Sequence, residues 1–110
     1  MEWQMGLKEE YLDLIRDGKK KVEGRLYDEK RRQMNPGDVI VFEGKLRVRV
    51  KSIRRYPSFK EMLEKEGIQR VLPGVHNIEE GVKIYRQFYT EEEEKKYGVV
   101  AIEIEPILEE

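Results

Sequence analysis

The 110 residues suffice for one compact domain and are too few for two, so residues 1–110 are read as a single domain. With no cysteine, disulfides, thiolate nucleophiles and Cys-ligated metal sites are excluded; with no run near 18 apolar residues and no leader-like segment at residues 1–5, the expectation is a cytoplasmic protein without a membrane partner. Charged residues reach 41% against 38% apolar, yet the signs cancel to −1 and the apolar positions are patterned, which predicts folding; the trade toward Lys, Glu and Arg and away from amides and thiols fits a thermophilic protein.

In chain order, Leu7, Tyr11, Leu14 and Ile15 follow the spacing of a buried helical stripe, and Gly18 stands where a left-handed residue would end the helix, predicted over 7–17. From 20 to 27 the pattern alternates, with Val22, Gly24 and Leu26 on one side of a strand and Lys21, Glu23, Arg25 and Tyr27 on the other. A turn at 35–37 precedes two β-rich runs, 38–42 and 46–53, joined near Glu43-Gly44 as a hairpin. Ser58 with Glu61 reads as a capping box opening a short helix whose apolar side is Phe59, Met62 and Leu63. Asn77 and Thr90 repeat that logic ahead of helices near 78–89 and 91–97, the second closed by Gly98. A last strand, 99–104, needs an earlier strand as partner for its backbone groups. The order predicts an α+β fold on a small, strongly curved sheet or barrel with helices at the edges; a doubly wound parallel sheet fits badly, for want of strand–helix alternation and a Gly-rich loop.

The charge is unevenly distributed. The stretch 16–55 holds 14 Lys/Arg against 6 Asp/Glu, and the remainder 8 against 17, so a neutral chain presents a basic segment suited to a polyanion. Within it Arg47, Arg49 and Lys51 alternate with Leu46, Val48 and Val50, which puts three cations on one strand face, and Arg54 and Arg55 follow. Tyr27 and Tyr56, at strand ends, are placed to stack on a base or to cover a barrel end.

Other chemistries have little support. His76 is the only histidine, Ser58 is better explained as a cap and Ser52 lies in a strand, which argues against a Ser–His–Asp hydrolase and against a transition-metal site. The acidic run 91–94 lacks the alternation of a calcium loop. No metal and no cofactor are expected. What remains is the segment 18–26, where Glu23 and Arg25 lie two apart on one strand face and can pair, with Lys20 at the turn entering the strand. A fixed carboxylate holds a guanidinium in place and leaves its other donors for a phosphate, carboxylate or base edge; the plain alternative is a surface ion pair.

Gly18, Lys20, Glu23 and Arg25 match G-x-K-x-x-E-x-R, and in this the chain resembles the ASCH family. The helix before the motif, the Pro36-Gly37-Asp38 entry to a strand, and the closing helix and strand after Tyr89 and Tyr97 extend the resemblance over nearly the whole length. It implies a PUA-like β-barrel with a cleft beside the motif, among relatives that bind RNA. In a bacterial branch of small amidohydrolases acting on N4-acetylcytidine nucleosides, a Thr nucleophile occupies the position of Glu23 and the Lys matching Lys20 assists it. Thr90, the only threonine, looks like a cap, and Glu64 and Glu66 are candidates for that branch's downstream Glu. The expectation is therefore an RNA- or nucleotide-binding monomer. Its ligand site is Lys20, Glu23 and Arg25, with RNA phosphates met by Lys21, Arg47, Arg49 and Lys51. Two alternatives stay open: an amidohydrolase removing an acyl group from a modified nucleoside, with Lys20 and Glu23 catalytic, and a protein-interaction module built on the acidic helices 78–97.

Overall fold

The apolar run 99–102 has no polar side chain to offer solvent, and it forms the middle of the molecule. In the computed structural model, which describes residues 1–108, the elements run β1 (Glu2–Met5), α1 (Glu9–Arg16), β2 (Val22–Leu26), β3 (Val39–Phe42), β4 (Leu46–Tyr56), α2 (Phe59–Glu66), α3 (Ile68–Val71), α4 (Ile78–Arg86), α5 (Glu91–Tyr97) and β5 (Val99–Pro106), with a 3-10 turn at Arg31–Gln33. The strands form one mixed sheet in the order β1-β3-β4-β5-β2. All neighbours are antiparallel except β1 and β3. The α+β class and the strongly curved sheet are as expected; the sheet is a curled half-barrel, open between β1 and β2, where the expectation was a sheet or barrel.

Successive side chains of a strand point to opposite faces, so β5 serves two cores. Val100, Ile102 and Ile104 join Trp3, Phe42 and Val48 inside the curl of the sheet, under Leu12 and Ile15 of α1. Val99 and Ala101 join Val22, Leu26, Phe59 and Leu63 beneath α2 and α4. A register shift between Val50 and Ser52 on β4 bends that strand, as a bulge does, and helps the sheet curl. No helix among the described residues is long and apolar enough to cross a membrane.

Most predicted elements are present. Ser58, Asn77 and Thr90 all accept the capping bond, from Glu61 N, Glu80 N and Glu93 N, and at Thr90 the box is reciprocal. Gly18 ends α1 at φ +77° and Gly98 ends α5 at φ +73°. β5 finds β2 and β4 as partners.

The structure differs from expectation at several points, one being α3, which no sequence pattern had marked. α1 starts at Glu9 because Lys8 is extended, and Leu7 instead gives its N–H to Glu43 Oε1 at 2.8 Å. α4 stops at Arg86, so residues 87–90 form a link to α5. β1 was not foreseen: four residues show too little alternation to read, and it is held by tertiary contacts. Asp38 accepts from Trp3 Nε1 (2.9 Å), from the terminal amine of Met1 (3.1 Å) and from Asn35 N (2.9 Å), which fastens β1 alongside β3.

Candidate functional site at the seam of the half-barrel

Lys20 enters the protein because the chain reverses at Gly18. Lys19 N and Lys20 N both return to Leu14 O, and the Lys20 side chain turns inward until the residue is 2% exposed. Its ammonium donates to Val22 O (2.8 Å) and Val71 O (2.5 Å), lies 3.1 Å from Glu23 Oε1, and sits over the Tyr11 ring at 5.4 Å. An ammonium has three protons, and three oxygens take them. Burial lowers the pKa of Lys20 from its ordinary value, partly offset by Glu23.

Glu23, opposite Ile102 in the sheet, faces into the curl. Its Oε2 accepts from Arg25 Nε at 2.7 Å. Burial pushes its pKa up, but the charges of Lys20 and Arg25 outweigh that and hold it below the usual carboxylate value. Arg25, two residues on and on the same face, gives Nη2 to Gly6 O at 2.5 Å. Its pKa, lowered by burial and raised by Glu23, ends above the ordinary value. Nη1 has no partner among the described residues. A buried, paired carboxylate thus aims a guanidinium and leaves one edge of it unspent.

Gly24 between them is required by space. A Cβ there would lie 2.6 Å from Met62 Cε and 2.7 Å from the Tyr85 hydroxyl. Tyr85 cannot easily yield, since its ring is stacked on Phe59 at 4.1 Å, and Phe59 is stacked in turn on Tyr89 at 5.5 Å. The Tyr85 hydroxyl is buried without a hydrogen-bond partner among the described residues. Burial raises its pKa well above normal, so it is a neutral donor and acceptor.

These groups surround a cleft of about 400 Å³. The buried triad forms its charged floor; Leu7, Tyr11, Ile84, Phe88 and Tyr89 form its walls, and Lys8 and Glu43 its rim. Phe88 is 58% exposed, with Lys8 Nζ 5.6 Å from its ring centre. The aromatic wall is the part sequence reasoning missed. Its signal was present as Tyr85, Phe88 and Tyr89, spaced i, i+3, i+4, although α4 ends before the last two.

The other site residues lie elsewhere. Lys21 is exposed beside the motif. Arg47, Arg49 and Lys51 are on the outer face of β4, outside the cleft lining. Arg47 is 2.9 Å from Glu2, Arg49 donates to Gly37 O, and Lys51 lies 3.9 Å from Glu103 and 3.8 Å from Glu105. Glu64 is exposed on α2, and Glu66 is buried against Arg54 and Tyr56; neither lines the cleft.

The ASCH domain model matches residues 5–108. The crystal structure of the hypothetical protein PH0355 is 77% identical, covers 97% of this chain and 100% of its own, and superposes with a TM-score of 0.96. The solution structure of protein PF0455 from Pyrococcus furiosus is 72% identical over 99% of this chain and 100% of its own, with a TM-score of 0.86. An ASCH domain from Lactobacillus crispatus, at 18% identity, shares the fold over 96% of this chain and 79% of its own, with a TM-score of 0.64. No curated protein matches. With the family model covering nearly every described residue, the chain belongs to the ASCH domain family.

Proposed function

We propose that this protein binds RNA or a nucleotide, with one nucleoside unit seated in the motif cleft. The observation that carries this reading is the combination in one cleft of aromatic walls, an orphaned Tyr85 hydroxyl and a guanidinium edge held in place by Glu23. Flat apolar walls suit a base, and the few polar groups at the floor suit recognition of its edge or of a phosphate. Lys21 and Lys8, exposed near the motif and the rim, are positioned for the backbone, and the outer-face cations Arg47, Arg49 and Lys51 add a field that their acidic neighbours partly cancel. The thermophilic reading of the composition is supported by the 72% identity to the Pyrococcus furiosus protein.

The triad's chemistry favours binding over hydrolysis. A general base is effective with a pKa near the working pH, whereas Glu23 is held below its usual value and both its oxygens are engaged. Lys20 has its protons committed to three oxygens. Titration of isotopically labelled protein with the four ribonucleoside monophosphates tests the reading. Binding will move resonances of Arg25, Tyr85 and Tyr89, and Arg25→Ala will remove the response; a response confined to residues outside the cleft refutes it.

A further inference from the structure

A second recess, of about 360 Å³, is lined by Tyr27, Arg55, Tyr56, Pro57, Tyr97 and Gly98. We propose that this recess is a phosphodiester-binding site for single-stranded RNA, distinct from the motif cleft, with Arg32 and Arg55 as its cationic arms.

The arginines of this molecule fall into two groups. Apart from Arg32 and Arg55, every arginine but Arg49 lies against a carboxylate, and Arg49 is turned onto the Gly37 carbonyl. Arg32 and Arg55 have no carboxylate partner among the described residues. Both guanidiniums instead converge on one ring, with carbons 5.1 Å and 4.3 Å from the centre of Tyr27. Lys96, also without a carboxylate partner among the described residues, lies over Tyr97 at 5.2 Å. The buried carboxylate that the Tyr56 hydroxyl reaches, Glu66, is already neutralised by Arg54 at 2.6 Å.

Cation–π contacts position a guanidinium without consuming its N–H donors. Arg32 spends only Nε, on Tyr27 O. In a chain with more acidic than basic residues, Arg55 in the recess lining, with Arg32 against the same Tyr27 ring and Lys96 over Tyr97, none with a carboxylate partner among the described residues, makes a local anion site. Of the recess tyrosines only Tyr56 carries no cation over its ring among the described residues, and its face suits a base of a single strand better than the edge of a stacked duplex. Tyr27 immediately follows β2 and lies two residues from Arg25, so a strand with a nucleoside in the cleft has a short path to the recess. The RNA ligand rests on the function proposed above; the recess does not depend on the motif cleft.

The test is fluorescence anisotropy of a 12-nucleotide, mixed-sequence, single-stranded RNA from 50 to 300 mM salt. Single strands lose about 0.7 in the slope of log K against log salt per phosphate contact. The double variant R32A/R55A will bind at least about fivefold more weakly at low salt, with the slope reduced by about 1.4. The double variant K60A/K65A removes the same charge from exposed positions of α2 and will leave the slope unchanged. R32K/R55K will restore most of the slope. Equal effects of the arginine and lysine pairs, or no salt-dependent binding of RNA by the wild-type protein at 50 mM salt, overturn the proposal. Monophosphate binding to the cleft is scored separately: if it persists while RNA binding fails, the recess is refuted and the cleft stands, and the converse refutes the cleft alone.

Discussion

Arg25 Nη2 donates to the Gly6 carbonyl at 2.5 Å, and so the motif arginine ties β2, at one edge of the sheet, to the residue that follows β1, at the other. The same guanidinium is oriented by Glu23. Members of the triad should therefore respond unequally to mutation. Arg25→Ala leaves Glu23 with Lys20 and should cost only ~1–2 kcal/mol. Glu23→Ala strands a buried ammonium beside a guanidinium and should cost ~3–5 kcal/mol. Denaturant melts of the two variants check the order; equal losses would mean that Glu23 is not the group on which the buried cations depend.

Gly24→Ala forces a Cβ against Met62 and Tyr85. Met62 can swing its terminal methyl away, but the stacked Tyr85 ring holds its place, so a loss of ~1–3 kcal/mol is expected. Tyr85→Phe removes the orphaned hydroxyl and with it the nearer fixed obstacle. Gly24→Ala will cost less in the Tyr85→Phe background than alone, a coupling that a double-mutant cycle measures. Tyr85→Phe by itself will keep the stability and weaken nucleotide binding.

Acid will unfold the protein through its paired carboxylates. Asp38 is held below its ordinary pKa by the Trp3 indole, Asn35 N and the terminal amine; Glu66 by Arg54 and Tyr56, against some burial; Glu23 by its two cations, against burial. Each has a lower pKa folded than unfolded, so its contribution is complete above the unfolded values, about 4 to 4.5, and is lost as the pH falls through the lowered folded ones. Asp38→Asn will flatten part of this dependence and cost ~1–3 kcal/mol at neutral pH. Urea midpoints from pH 2 to 7 for the two proteins test this; parallel curves would show that Asp38 contributes nothing to the acid dependence.

Incubation with N4-acetylcytidine should release no appreciable acetate, because Glu23 is held ionised by Lys20 and Arg25, and Glu23→Thr should not create the activity, because the walls of the pocket are unchanged and Lys20 keeps two carbonyl partners. Mass spectrometry of the nucleoside decides it. Turnover lost in both Lys20→Ala and Glu23→Ala would establish the hydrolase.

Much of this fold is written locally. Ser58, Asn77, Thr90, Gly18 and Gly98 mark helix ends through short-range backbone chemistry, and the 99–102 run can only be a strand buried on both faces. The motif's pairing was legible because Glu23 and Arg25 are two apart on a strand. The remainder depends on distant partners. β1 exists because Asp38 binds Trp3, 35 residues away, and the two carbonyls that trap Lys20 include one from Val71, 51 residues on. The aromatic wall escaped notice because Tyr11 and Tyr85 come from α1 and α4, which only the curl of the sheet brings together. Arg32 lies in the 3-10 turn, outside any pattern that would have matched it to Tyr27 and Arg55.

Whether the cleft over Lys20, Glu23 and Arg25 takes a nucleoside unit is decided by titrating labelled protein with ribonucleoside monophosphates. Saturable shifts at Arg25, Tyr85 and Tyr89, abolished by Arg25→Ala in a folded variant, are the predicted result. Unperturbed cleft resonances at millimolar concentrations of all four nucleotides would contradict it.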